Sequence, residues 1–304
     1  MLSSRKAFVF AALLILAALV FVSCGKTAPS PEGGSSSYFE AHFLDVGEGD
    51  AALILCDGHA MLIDGGEPKY SDLIYAYIKE HSVERLDLAV ATHPHVDHIG
   101  GLAAALRAVP AGEVWCPVSS YPSKAFASLV QYAGMRGLRL RRPSPGETFR
   151  LGSAEVRVLA PHAVTDDANN SSIVLRIVYG NTSFLFAADM EREEERSILD
   201  SGAELRSTVL KVGHHGSGNA TSYPFLREVS PAVAVISVGT PNPYSHPHES
   251  VLSRLRDAET SVYRTDLQGH IIIVSDGERV SVTPTRNENA DVMEPGFTAE
   301  PKHH

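Results

Sequence analysis

The chain has 304 residues, of which 44% are hydrophobic, and this is enough to bury a sizeable core in one large domain or two small ones. The formal net charge of −10 argues against broad electrostatic adhesion to nucleic acid. A local basic groove is compatible with that charge, although solvated surface charge is the alternative interpretation of the arginines concerned. The candidates for its wall are Lys211, Arg139, Arg141 and Arg142.

The first 23 residues have the composition of a secretory signal, with a basic start, MLSSRK, and an apolar run, AFVFAALLILAALVFV. Ser23 before Cys24 resembles the lipobox of bacterial lipoproteins, in which the cysteine carries lipid and becomes the new N-terminus. The alternatives are a secreted protein or an uncleaved helix, although spanning a bilayer takes about 20 apolar residues. We expect an extracytoplasmic lipoprotein whose partner at this end is the membrane.

Residues 24–37 are predicted to be a flexible tether, because GKTAPSPEGGSSS is rich in Gly, Ser and Pro. Residues 38–285 contain no second linker and are predicted to form one domain. Residues 286–304 lack periodicity and are predicted to be disordered. If Cys24 carries lipid, Cys56 and Cys116 remain, and their positions do not show whether they pair.

The predicted domain begins as a meander of strands and continues as strands alternating with helices, which predicts an α/β fold of sheets covered by helices. Several strands are apolar throughout, which predicts burial on both faces. The predicted strands are YFEAHFLDV, AALILC, AMLIDG, LDLAVAT, EVRVLA, SSIVLRIVY, TSFLFAAD, STVLKVG, AVAVISVG, GHIIIVS and RVSVTP. The predicted helices are SDLIYAYIKEH, GGLAAALRAV, SKAFASLVQYAGMRG, EREEERSILDSG, YPFLREV and HESVLSRLRDA.

Four metal-binding side chains lie within six residues, HPHVDH, directly after the strand LDLAVAT. His93 and His95 are two positions apart, so both rings face the same way in an extended segment. The chain then turns into a helix, so that Asp97 and His98 can face the same point from the other side. Imidazole and carboxylate are the ligands of zinc, manganese and iron sites. A pair of metals also needs a bridging carboxylate, and Asp189 at the end of FLFAAD is the candidate.

The HxHxDH pattern of residues 93–98 is identified as the signature of the metallo-β-lactamase superfamily. Further motifs resemble the metallo-β-lactamase domain of competence proteins of the ComEC type, and the resemblance covers nearly all of residues 40–276. These motifs are FLDVGEGDAALI, LIDGG, LDLAVATHPHVDHIGGL, NNSSIVLRI, FLFAADME, LKVGHHGS, SVGTPNPYSHP and YRTDLQGHIIIVSDG. The resemblance implies the αβ/βα four-layer sandwich, in which helices flank two mixed β-sheets and metals lie at one edge. The polytopic channel of that family is not in this sequence, which implies a stand-alone, secreted form.

The resemblance implies two divalent metal ions, either zinc or manganese. It assigns the first metal to His93 and His95 and the second to Asp97 and His98. Asp189 would bridge them.

Two further histidines complete this implied ligand set. His215 of the HHGS motif would join the first metal, and His246 of YSHP would join the second. His214 is an alternative to His215, and the one of the two that is not a ligand would donate a hydrogen bond to substrate. His162 is a weaker alternative, because no family motif surrounds it.

Three carboxylates in other family motifs, Asp45, Asp50 and Asp64, are expected to have supporting roles. They would either form turns by accepting backbone hydrogen bonds or orient metal-bound histidines.

A dinuclear site lowers the pKa of bound water from about 15.7 to about 7 and polarises a phosphorus–oxygen bond. The resemblance therefore implies phosphodiester hydrolysis through a metal-bound hydroxide, with DNA as the leading substrate. The predicted catalytic residues are Asp97, His214 and His215. Asn170, Ser171 and Ser217 are expected to bind the non-bridging phosphate oxygens.

Two other functions are compatible with the sequence. The fold and the HHGS motif also resemble phosphorylcholine esterases, which makes a cell-wall or small-molecule phosphodiester the alternative substrate. A non-catalytic metal-binding surface module is the alternative from another class. The sequence contains neither GxSxG nor GxxxxGK[ST], so it indicates neither a serine nucleophile nor a P-loop. No feature implies a protein partner.

Overall fold

The computed structural model describes residues 38–240 and 242–296. By their mutual contacts these residues belong to one compact unit. The predicted signal (residues 1–23) and tether (residues 24–37) lie outside the described residues, as do residues 297–304 of the predicted tail. Within the described residues, no helix is long and apolar enough to cross a membrane.

The described residues form strands and α-helices in the mixed order that the sequence predicts. The strands are β1 (Phe39–Phe43), β2 (Ala51–Cys56), β3 (His59–Asp64), β4 (Leu86–Val90), β5 (Ala111–Trp115), β6 (Leu140–Arg141), β7 (Thr148–Leu151), β8 (Ala154–Ala160), β9 (Val174–Tyr179), β10 (Thr182–Phe186), β11 (Val209–Lys211), β12 (Val233–Ile236), β13 (Ser261–Arg264), β14 (Ile271–Ser275) and β15 (Val280–Pro284). The helices are α1 (Ser71–Glu80), α2 (Val96–Ile99), α3 (Leu102–Ala108), α4 (Lys124–Met135), α5 (Arg192–Ser201), α6 (Tyr223–Val229), α7 (Glu249–Asp257) and α8 (Thr265–Gln268). Single 3₁₀ turns cover Pro68–Tyr70 and Gly213–Gly216.

The strands form two mixed sheets. The first has the order β15-β14-β1-β2-β3-β4-β5-β6, and the second has the order β13-β12-β11-β10-β9-β8-β7. In the first sheet β3 to β6 are parallel, and in the second sheet β10 to β13 are parallel. The predicted α/β sandwich of two mixed sheets flanked by helices is confirmed.

Successive side chains along each strand point to opposite faces of the sheet and therefore pack into different layers of the sandwich. On β4, Leu88 and Val90 belong to the apolar cluster between the two sheets, whereas Ala89 belongs to the cluster under α1, α3 and α4. The prediction that this strand is buried on both faces is therefore confirmed. A third cluster joins the second sheet to α5, α6 and α7. Full burial of one such Val or Leu side chain contributes ~1.5–3 kcal/mol before cavity and strain effects.

Two parts of the structure differ from the sequence-based predictions. The patterns do not indicate β5, β6, β7 or β13, because these strands are short and each has at least two residues that are not buried. Lack of periodicity predicts disorder from residue 286, but residues 286–296 contact the domain. Arg286 lies 3.0 Å from Asp45 Oδ2, and Val292 and Met293 pack against the third cluster. The predicted boundary at residue 285 is too early, because individual side-chain contacts hold this irregular segment.

Candidate metal centre

The predicted metal-binding residues come from strand ends and short turns that meet at one edge of the two sheets. His93 follows β4, and α2 begins directly after His95, so that Asp97 and His98 lie on its single turn. The second sheet supplies the others: Asp189 follows β10, His214 and His215 form the turn after β11, and His246 precedes α7. Each sheet therefore contributes part of the centre.

Asp189 lies at the middle of this arrangement and is 2% exposed. Its Oδ2 atom has four imidazole nitrogens within 3.8 Å. These are Nε2 of His98 at 3.3 Å, of His215 at 3.4 Å, of His214 at 3.7 Å and of His93 at 3.8 Å. A carboxylate with imidazoles from both sheets around it is placed as a bridging ligand would be.

Four of the predicted ligands form a compact group. The ligand atoms of Asp97, His98, Asp189 and His215 all lie within 4.8 Å of one another. In the described structure, three buried atoms of this group, His98 Nε2, His215 Nε2 and Asp189 Oδ1, have no hydrogen-bond partner. Leaving buried polar atoms unsatisfied costs about 1–3 kcal/mol each, and a divalent cation bound beside Asp189 Oδ2 would satisfy the two imidazole nitrogens. Nitrogen and oxygen donors are also those that zinc and manganese use, so these residues fit a divalent metal.

The two histidines predicted for the first metal also lie together. His93 Nε2 is 3.1 Å from His95 Nδ1, and the ring of His93 lies 4.0 Å from that of His98. His93 is buried and His95 is partly exposed. The HPHVDH segment thus presents all its polar side chains to one region, as its spacing indicates.

The HHGS turn places its two histidines differently from the sequence-based assignment. That assignment pairs His215 with His93 and His95, but the structure groups His215 with Asp97 and His98. Nε2 of His214 lies 3.7 Å from Asp189 Oδ2, the same oxygen that the other three histidines approach. The physical reason is the left-handed backbone of both residues, with φ of 47° and 51°, which sends consecutive rings into one site. The geometry places His215 with the residues predicted for the second metal, and whether His214 is a ligand stays a prediction.

His246 lies beside this group and is 5% exposed. Its ring centroid is 5.7 Å from that of His214 and 6.3 Å from that of His215. The side chain of Asn242 holds the preceding loop, because its Nδ2 donates to the carbonyl of His246 and its Oδ1 accepts from the His246 amide. Nδ1 of His246 is 2.8 Å from Glu48 Oε1. The role of His246 as a metal ligand stays a prediction.

Asp64 has the geometry of a supporting residue. Its Oδ1 accepts the Thr92 amide at 2.8 Å, and its Oδ2 accepts the Thr92 hydroxyl at 2.6 Å. The same Oδ2 lies 2.9 Å from His98 Nδ1, so a proton on Nδ1 leaves Nε2 of His98 free to face Asp189. Both oxygens of Asp64 are thereby engaged, which agrees with an orienting role.

The charges in this buried group are strongly coupled. Burial alone would lower the pKa of His98 and of His215, but the nearby carboxylates, first among them Asp189, raise both pKa values well above the ordinary range. Burial would raise the pKa of Asp189 and of Asp97, but the histidines lower both. The carboxylates therefore favour the protonated form of both imidazoles, and a metal ion binding here would compete with those protons.

The three predicted phosphate-binding side chains make hydrogen bonds within the protein. Asn170 Oδ1 accepts the amides of Glu191 and Glu194 at the start of α5, and Ser171 Oγ donates to the carbonyl of Asp167. Ser217 Oγ accepts the amide of Asn219 at 3.4 Å. Their proposed contact with substrate stays a prediction.

Two other predicted candidates have structural partners instead. Lys211 is 3% exposed and lies 2.8 Å from Asp50 Oδ1, so the prediction that it lines a basic groove is wrong. Lys211 is buried because its side chain lies on the face of β11 that packs against the other sheet. His162 Nδ1 lies 2.8 Å from Glu194 Oε1, and His162 is not part of either metal-binding group found among the described residues.

Sequence reasoning missed two glutamates that contact the histidines of the centre. Glu48 contacts His246, and Glu191 Oε1 lies 3.1 Å from His214 Nδ1. Glu191 directly follows the FLFAADM segment, and Glu48 lies between two glycines, which indicates a tight loop but not its partner.

The sequence profile of the metallo-beta-lactamase superfamily matches residues 44–265, which include HPHVDH, Asp189, HHGS and His246. The chain belongs to the metallo-beta-lactamase superfamily. Among solved structures, the metallo-beta-lactamase fold protein YhfI from Bacillus subtilis aligns with a TM-score of 0.53 and 12% identity. That alignment covers 78% of this chain and 100% of YhfI, and it supports the fold alone.

Within this superfamily, the curated relatives include competence and recombination proteins. ComE operon protein 3 of Bacillus subtilis (strain 168) is 28% identical over 255 residues, which are 78% of this chain and 33% of the relative. Competence protein ComA of Neisseria gonorrhoeae is 30% identical over 253 residues, which are 82% of this chain and 34% of the relative. Recombination protein 2 of Haemophilus influenzae is 28% identical over 260 residues. The chain spans about a third of the length of these relatives, and the predicted resemblance to competence proteins is confirmed.

Proposed function

We propose that this chain is a metal-dependent phosphodiesterase that cleaves DNA outside the cytoplasmic membrane, where lipid on Cys24 anchors it. The main support for a catalytic role is a group of four side chains whose ligand atoms lie within 4.8 Å of one another and include unsatisfied buried atoms. The four residues are Asp97, His98, Asp189 and His215. Such a site is suited to two divalent ions, zinc or manganese.

Divalent ions bound there would lower the pKa of a coordinated water and offset the negative charge of a phosphate diester. Asp189 contacts histidines from both sheets and would keep the two halves of the centre at a fixed spacing. His214, with 21% of its side chain exposed, is more accessible to substrate than His215, with 3%. Asp97, with 28% of its side chain exposed, lies on the open side of the group.

The choice of DNA rests on the relatives, whose names refer to competence and recombination. Among phosphodiesters, DNA is the polymer that those names suggest. The net charge of −10 means that binding would depend on the metal centre more than on a broad basic surface.

Hydrolysis by the full chain, stripped of metal and reloaded with zinc or manganese, tests this proposal. The substrates are bis-p-nitrophenyl phosphate and single- and double-stranded DNA. We expect metal-dependent cleavage of the small diester and DNA. In Asp97→Ala and Asp189→Ala, cleavage should fall at least ~100-fold because each removes a carboxylate that faces the metals. Asp166→Ala removes an exposed carboxylate and is the matched control.

Three other outcomes would contradict the proposed mechanism, change the proposed substrate or exclude catalysis. Full activity in either site variant would contradict the metal-dependent mechanism. Cleavage of the small diester without cleavage of DNA would indicate a cell-wall or small-molecule phosphodiester. Bound metal with no hydrolysis of either substrate would indicate a non-catalytic metal-binding module.

A further inference from the structure

A lysine is buried between the two sheets beside the metal centre. Lys211 ends β11, on which Val209 faces the cluster between the sheets and Leu210 faces the helical layer. By the alternation of a strand, Lys211 points the same way as Val209. A buried ammonium group costs several kcal/mol unless it is paired, so this position needs a partner.

The partner of Lys211 belongs to the other sheet. Nζ of Lys211 lies 2.8 Å from Oδ1 of Asp50 and donates to the carbonyl of Val212 at 3.0 Å. Asp50 directly precedes β2 and is 6% exposed. Phe43 and Phe186 line the same enclosed space, which excludes bulk water and strengthens the ion pair. The pair therefore links the two sheets at the edge where the metal-binding residues meet.

Asp50 also contacts both halves of the metal centre. Its backbone amide donates to the carbonyl of Asp97 at 3.2 Å, and its Oδ1 lies 3.4 Å from Nδ1 of His215. His215 Nδ1 donates to the carbonyl of Ser237 at 3.0 Å. A proton kept on Nδ1 leaves Nε2 of His215 directed toward Asp97 and Asp189, at 3.5 Å and 3.4 Å.

The ion pair also affects which carboxylates are available to a cation. Ligand atoms of Asp50, Asp64 and His98 lie within 4.8 Å of one another and form a second group with metal-binding composition. The ammonium group of Lys211 already supplies a positive charge at Asp50. Without it, the contact with His215 would be the remaining ion pair of Asp50, and this buried carboxylate would compete for the metals.

We propose that Asp50 and Lys211 are positioning residues, which hold His215 toward the metals and prevent Asp50 from becoming a ligand. This inference rests on the divalent-metal site of the proposed function but not on its substrate.

Metal affinity in Lys211→Met, measured on the full chain by competition with a chelator for zinc, tests the proposal. Methionine keeps most of the side-chain length and removes the charge. We expect the affinity for one of the two zinc ions to fall ~10–100-fold, as is usual when a residue behind a metal ligand is lost. The other zinc ion should bind as in the wild type. Lys124→Met removes an exposed lysine and should leave both affinities unchanged.

The double variant Asp50→Leu with Lys211→Met distinguishes an effect on the position of His215 from an effect on the stability of the fold. Replacing a buried ion pair by apolar residues is often neutral or stabilising, so the metal-free double variant should match the wild type in thermal unfolding. Its zinc affinity should remain as low as that of the single variant. If Lys211→Met does not fold, the zinc affinity of the double variant is the test of the positioning role.

The possible results distinguish this proposal from the proposed function. Wild-type zinc affinity in Lys211→Met or in the double variant would overturn the positioning role while leaving the metal site in place. A wild-type chain that binds no divalent metal would overturn the proposed function as well.

Discussion

At the scale of single residues, three imidazoles of the centre, those of His98, His215 and His246, each have an oxygen within hydrogen-bond distance of Nδ1. Asp64 contacts Nδ1 of His98, and the Ser237 carbonyl accepts from Nδ1 of His215. Glu48 lies in the same way behind the ring of His246. An oxygen at Nδ1 keeps a proton there and leaves Nε2 for the centre, so these rings are oriented before any metal binds.

Glu48→Ala should weaken metal binding without unfolding the domain. Glu48 Oε1 lies 2.8 Å from His246 Nδ1, and its Oε2 accepts the amide of Gly239 at 3.0 Å. Alanine removes both contacts and frees the loop that carries His246. We expect a ~10–100-fold loss of affinity for one zinc ion, measured by chelator competition.

Glu48→Gln is the matched control for this prediction. Glutamine keeps an acceptor oxygen for His246, so most of the zinc affinity should return. Wild-type affinity in Glu48→Ala would show that His246 does not depend on this carboxylate, and would argue against His246 as a ligand.

The convergence of the HPHVDH side chains could be predicted, because these residues are neighbours in the chain and share one local turn. It did not predict Glu48, because its partner His246 lies 198 positions away. The burial of Lys211 was missed for a similar reason. The sequence pattern around a single lysine at a strand end is the same whether the side chain faces solvent or pairs with an aspartate of the other sheet.

At the scale of elements, the turn Gly213–Gly216 decides how two adjacent histidines reach one site. His214 and His215 both have positive φ, and Gly216 follows with φ of 86°. A Cβ atom on Gly216 would lie 2.6 Å from Cβ of Pro247, next to His246. The backbone of this turn therefore requires glycine both for its conformation and for its contact with the neighbouring loop.

Gly216→Ala should destabilise the domain and reduce metal binding, because it strains the turn and displaces Pro247 beside a predicted ligand. We expect a loss of roughly 1–3 kcal/mol in the free energy of unfolding, measured by denaturant titration.

Gly134→Ala is the matched control, since Gly134 lies in α4 and a Cβ atom there meets nothing within 4 Å. It should be neutral or stabilise the domain by up to about 1 kcal/mol. Equal stability of Gly216→Ala and wild type would show that the turn tolerates a side chain.

The sequence patterns located the strand ends that carry His93, Asp189 and HHGS, because apolar runs mark these strands clearly. They left open which histidine of HHGS is the metal ligand and which one faces the substrate. That choice depends on two left-handed residues, and a short motif of adjacent histidines does not specify their backbone.

At the scale of the whole molecule, the centre joins two sheets that each hold only part of it. HPHVDH belongs to the first sheet, and Asp189 with HHGS belongs to the second. The fold could be predicted because the superfamily motifs are spread over nearly the whole domain. The packing of residues 286–296 could not, since it depends on contacts such as Arg286 with Asp45 that leave no periodic pattern.

The dinuclear centre is tested by the metal content of the purified full chain, measured by elemental mass spectrometry after zinc loading and removal of excess zinc. We expect two zinc ions per chain in the wild type and in Asp166→Ala, and at most one in Asp189→Ala, because Asp189 contacts the histidines of both sheets. No bound zinc in the wild type, or two zinc ions in Asp189→Ala, would contradict a dinuclear centre built on this carboxylate.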